Sequence, residues 1–171
     1  VLGWVGLTVS GTVVTLWPTI LRTRADERSH IGAARALPLL SISVVVAALG
    51  AAVNVLPLLA LGLFGYLAGL GVIGISLWRA ALGATPKSFS ALSVGIALLW
   101  WAGSVAVIAV GTIVTFANGS DLAAVRELMD AVVPYLAAGF AAQILLGALS
   151  YLIPVVLGGG PAAVRTGSTV F

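Results

Sequence analysis

The chain has 171 residues, of which 61% are hydrophobic and 8% charged, with a formal net charge of +3 and a pI near 10.0. A soluble domain carries about a quarter of its residues as Asp, Glu, Lys and Arg, so water is excluded as the main solvent. The absence of cysteine removes disulfides, thiolate metal sites and cysteine nucleophiles, and 8 cations spread among short connections do not make a nucleic-acid surface.

A bilayer core of about 30 Å asks for roughly 20 apolar residues in helical conformation, and runs of that length recur along the chain. Val1–Leu21 is the first. Its apolar stretch is too long for the core of a signal peptide, and no small-residue cleavage site precedes the arginines, so it reads as a spanning helix. The chain opens on Val1 inside this apolar run, which leads us to expect a truncated gene product, a fragment of a longer protein. The run ends at Arg22–His30, whose charges are too costly to bury in lipid and predict an exposed loop.

From Ala36 to Trp78 there is no charged residue. One helix of that length would run roughly 65 Å, about twice the hydrocarbon thickness, so the chain must fold back. The break belongs at Asn54–Pro57, because proline lacks an amide hydrogen and disfavours helix in the residue before it. Spans are expected near 36–54 and 57–78. A connection containing Gly83, Pro86 and Lys87 follows, then a span near 89–116 capped by Ser88 or Ser90. Ala117–Asp121 reads as a turn, and residues 122–130 as a short amphipathic helix at the membrane interface. The last span is expected near 131–157, with Pro134 in its first turns and a stop at Gly158–Pro161. Residues 158–171 then form a cytoplasmic tail or the start of a continuation.

The expected fold is therefore all-α, a polytopic transmembrane helix bundle of about five spans occupying residues 1–157. Five spans put Arg22, Arg24, Arg28, Arg35, Arg79, Lys87 and Arg165 on one side and only Arg126 on the other, beside Asp121, Glu127 and Asp130. The bias places the N-terminus outside and the C-terminus in the cytoplasm. A four-span arrangement with residues 36–78 as a re-entrant pair also leaves the first two cationic loops on one side, so the charges favour that shared parity more than the total.

Within the spans, Thr8, Thr12, Thr15 and Thr19 share a helical stripe, read as a packing face; the alternative is the polar wall of a conduction path, which would want an ionisable residue beside it. Gly62, Gly65 and Gly69 lie on one side of the third span and include a GxxxG match, which suits close helix contact within the bundle or self-association. Gly139, Gln143 and Gly147 stand one turn apart on the last span. The amide between two small residues suits an interhelical hydrogen bond, with a ligand-facing role as the alternative. His30, the single histidine, has no second ligand beside it and reads as a solvated loop residue. Trp4, Trp17 and Trp78 fall near the expected interfaces, whereas Trp100 and Trp101 fall nearer mid-depth and read as core. No acid–base pair, activated nucleophile or phosphate loop is visible, so no catalytic, metal or cofactor site is assigned within the chain.

Two stretches carry a resemblance. Leu2–Thr8 continuing to Leu16–Thr23, and Phe140–Pro161, resemble the membrane region of actinobacterial proteins that carry a multicopper-oxidase or copper nitrite-reductase type domain. In outline they are also similar to haem-copper oxidase subunit I-like proteins. The resemblance covers about a quarter of the chain. It implies a multi-pass anchor or scaffold domain in the bacterial cytoplasmic membrane, a fragment of a larger copper- or respiration-linked redox protein. Its partners would be the lipid bilayer and a redox domain or subunit. Copper or haem, with their ligands, would lie in the full-length protein outside residues 1–171. The alternative function is a component of a small-solute transporter or permease, suggested by the threonine stripe, the glycine-rich third span and the proline-interrupted helices; prolines near span ends rather than in mid-membrane count against it.

Overall fold

The computed structural model describes residues 6–8, 11–12, 27–82, 89–154 and 156. Every regular element among them is helical: α1 (Glu27–Ala52), α2 (Leu56–Leu82), α3 (Phe89–Ala117), α4 (Leu122–Tyr135), a π-helical turn (Leu136–Ala141) and α5 (Ala142–Pro154). Residues 6–8 and 11–12 are helical as well, while the rest of the first expected span and the tail at 158–171 lie outside the described residues.

The turns explain where these helices stop. Asn54, with φ of 56°, takes the left-handed conformation that ends many helices, and Val55 N–H donates to Gly50 O at 2.8 Å across the turn. Pro57 follows inside the first turn of α2, where its missing N–H has no partner to lose. The same device closes α3: Gly119 is left-handed (φ 67°) and Ser120 N–H reaches Thr115 O at 3.0 Å. Asp121 then caps α4 from an extended backbone, its carboxylate accepting from Ala123 N–H at 3.1 Å.

Three boundaries differ from the sequence reading. Glu27–His30, expected in an exposed loop, form the first turn of α1; charges forbid lipid, not helix. Ser90, one candidate cap, lies inside α3 with its hydroxyl committed to Ser150. The expected interfacial helix and the last span are one continuous helical rod. Asp121 begins it, so Pro134 falls in its middle instead of its first turns. A mid-helix proline cannot donate to the carbonyl four residues back and its ring crowds that carbonyl. The ladder reorganises just beyond it: Leu136 N–H is shared between Val132 O and Val133 O, and Ala142 N–H reaches Ala137 O, five residues back.

Three helices among the described residues are long and apolar enough to cross a membrane: Leu56–Arg79, Phe89–Ala117 and Leu122–Ser150, with a shorter apolar stretch at Ala36–Ala52. Large apolar side chains face outward on all of them, including Leu61 (65% exposed), Trp78 (63%) and Leu99 (73%). A soluble monomer rarely shows such continuous apolar surface, and lipid solvates it without cost. The described residues therefore form a helical bundle with the character of a membrane protein. In space α1 packs on α2, α2 on α3, and α3 on the rod formed by α4, the π turn and α5. Gly6 lies over the α2–α3 seam, where a Cβ would overlap Tyr66 Oη.

Candidate functional site

The interior is organised by one face of α3. Ser90, Ser93, Ala97, Trp101, Ser104, Ile108 and Thr112 recur at spacings of three, four, four, three, four and four, and all are buried. This stripe makes α3 the central helix, touching α2 on one side and the α4–α5 rod on the other.

Near the helix ends the stripe is joined to α5 by hydroxyls. Ser93 Oγ donates toward Gln143 Oε1 at 2.9 Å and lies 3.2 Å from Gln143 O. Ser150 Oγ donates to Gly147 O at 2.9 Å, which leaves Ser90 Oγ to donate to Ser150 across the helix pair, also at 2.9 Å. In hydrocarbon a hydroxyl or amide without a partner is costly, so these pairs fix the rotation of α5 against α3. Thr112 spends its hydroxyl on Ile108 O at 2.8 Å.

Near the middle of α3 the joint is aromatic. Trp101 Nε1 donates to Tyr66 Oη at 3.2 Å, tying α3 to α2, and the Trp101 ring lies 4.7 Å from that of Phe140 in the π turn. Trp100, one residue earlier, points outward and stacks on Tyr135 with centroids 6.4 Å apart and planes 14° from parallel. Between α3 and α4 an open groove of about 580 Å³ is lined by Ile96, Leu99, Trp100, Gly103, Ser104 and Tyr135, among others. A second groove of about 300 Å³, between α2 and α3, is lined by Phe64, Thr112 and Phe116 among other residues.

The glycines singled out from sequence lie at two seams. A Cβ on Gly62, Gly65 or Gly69 would collide with Ala47, Ser43 or Leu40 of α1, so this face is filled within the bundle. Gly139 lies against the Trp100 indole and Gly147 against Ser93 and Val94, with Gln143 between them on Ser93. The three residues therefore meet one helix even though the π turn intervenes near Gly139. Thr8 and Thr12 are exposed, and Thr15, Thr19, Trp4 and Trp17 lie outside the described residues. Sequence reasoning read Ser90 only as a possible cap and passed over Ser93, Ser104 and Tyr66; the 3–4 spacing of small and polar residues along 90–112 was the signal that could have found the serines.

Chemically, these surfaces offer hydroxyls, one amide and aromatic rings. Among the described residues no three His, Cys, Asp or Glu stand close enough to hold a metal ion. No protein-family model, curated protein or solved structure matches the chain.

Proposed function

We propose that the chain is the membrane-embedded anchor and scaffold of a larger assembly, holding a copper- or respiration-linked redox domain or subunit at a bacterial cytoplasmic membrane. The observation that carries this reading is how the described interior is used. Its occluded side-chain polar atoms are all hydrogen-bonded within the protein, and its helices meet through glycines and small side chains. Such an interior suits a rigid mount better than a solute path. The redox link rests on the resemblance of Leu2–Thr8, Leu16–Thr23 and Phe140–Pro161 described above. The cation asymmetry, seven against Arg126 alone, supports an external N-terminus and a cytoplasmic C-terminus in a five-span arrangement.

A second reading, a small-solute transporter component, draws on the π turn at Leu136–Ala141 behind Pro134. It is the mid-helix irregularity that the sequence alone had placed at a span end, and broken helices near mid-membrane are where transporters build sites. One experiment separates the two. The protein is extracted from its native membrane in mild detergent, and its stoichiometric partners and visible absorption spectrum are recorded; the chain alone is then placed in liposomes for flux. The anchor reading expects a copper- or haem-bearing partner and silent liposomes. Solute flux by the chain alone, with no redox partner, overturns it.

A further inference from the structure

We propose that the groove between α3 and α4 binds a planar, lipid-soluble molecule that carries a carbonyl oxygen, such as a quinone ring, with that oxygen accepting a hydrogen bond from Ser104. Ser104 is 6% exposed and lines the groove. Buried Ser90, Ser93 and Thr112 all spend their hydroxyls on protein partners; Ser104 Oγ makes no such bond among the described residues, and since no fully occluded side-chain oxygen there lacks a partner, this hydroxyl is open to the groove it lines. It is a donor aimed at the groove.

Depth decides what can meet it. Ser104 lies at the middle of α3, which runs Phe89–Ala117, so at 1.5 Å per residue it is about 20 Å from either end. Phospholipid esters sit at the interface, about 15 Å from the bilayer midplane, so an acyl chain lying here brings no acceptor to the hydroxyl. A carbonyl on an apolar ring does. The walls suit a ring: the Trp100–Tyr135 stack presents a flat aromatic surface, and the Cβ position of Gly103 has nothing within 4 Å, leaving backbone open to close approach. The volume, about 580 Å³, falls inside the ordinary range for small-molecule sites, about 300–1,000 Å³. The wall residue Tyr135 also immediately precedes the π turn, a distortion that recurs at functional positions. The second groove has no equivalent donor, because Thr112 is bonded to its own helix.

The full chain in dioleoylphosphatidylcholine nanodiscs is titrated with decylubiquinone while tryptophan emission is followed. Saturable quenching is expected, since Trp100 forms the wall. Ser104→Ala weakens the apparent affinity roughly fivefold to tenfold, the loss of one neutral hydrogen bond, while Ser104→Thr, which keeps the hydroxyl, retains most of it. Gly103→Leu fills the groove and abolishes saturation; if that variant does not fold, the Ser104 pair alone decides. Quenching that grows linearly with added quinone, or equal affinity in wild type and Ser104→Ala, overturns the proposal. Two further outcomes do the same. Dibrominated phosphatidylcholine quenching that decylubiquinone does not relieve makes the occupant an acyl chain, and a dimer dissolved by Gly103→Leu makes it a second copy of this chain.

Discussion

Replacing Gly62 by alanine tests the helix seams most directly, because the added methyl has nowhere to go. A Cβ built at Gly62 stands 2.6 Å from Ala47 Cα and 2.7 Å from Ala47 Cβ, roughly 1 Å inside the carbon–carbon optimum of about 3.5–4.0 Å. Backbone and a short methyl cannot swing aside as the end of a leucine would, so α1 and α2 must part. Overpacking of this kind costs about 1–3 kcal/mol. Helix propensity returns about 1 kcal/mol on replacing glycine by alanine, which leaves Gly62→Ala destabilised by about 0–2 kcal/mol, and about 1–3 kcal/mol less stable than a glycine-to-alanine change made where the methyl has room. The internal control lies on the same helix: nothing is within 4 Å of a Cβ at Gly71 or Gly74, so Gly71→Ala and Gly74→Ala are neutral or stabilising. SDS titration of the detergent-solubilised protein, followed by near-ultraviolet circular dichroism, measures all three. If Gly62→Ala unfolds with the same midpoint as Gly71→Ala, the α1–α2 seam is not the close contact described and the reasoning fails.

Other substitutions probe the remaining joints. Asn54→Val forces a β-branched residue into the left-handed turn and should lower stability by about 1–3 kcal/mol, whereas Asn54→Gly should leave it nearly unchanged; the same SDS titration compares them. Gln143→Leu removes the side-chain acceptor for Ser93, leaving only the longer contact to the Gln143 carbonyl, and should cost about 0.6 kcal/mol, up to about 1.7, with less than additive loss when Ser93→Ala is added. Asp121→Ala strips the cap from the α4–α5 rod at a cost of about 1 kcal/mol, and amide exchange should quicken in its first turn while α5 keeps its protection.

Features controlled by local backbone chemistry were legible without coordinates. Charge-free runs gave helices where lipid requires internal amide bonding, and Asn54–Pro57 marked the reversal because few other arrangements suit that pair of residues. Composition by itself could not say where the last helix begins. Arg126, Glu127 and Asp130 suggested a separate interfacial piece, yet a continuous rod keeps all three exposed while Val125, Val132 and Phe140 are buried against the bundle. The π turn was hidden for a related reason: Pro134 identifies a disturbed ladder but not whether it breaks, kinks or gains a residue. At the seams, Gly62, Gly65 and Gly69 announced close approach, but only coordinates name α1 as the neighbour. Spacing could have placed Ser104 on the buried stripe of α3, but not that its hydroxyl is left without a protein partner while Ser90 and Ser93 are bonded.

The reversal at Asn54 and the glycine seam behind it make α1 and α2 a self-contained hairpin, and α3 with the α4–α5 rod forms another. Tyr66 and Trp101 rivet the two where they meet. Rocking of one half against the other would have to stretch that phenol–indole bond, which Tyr66→Phe removes while leaving the packed α2–α3 seam in place.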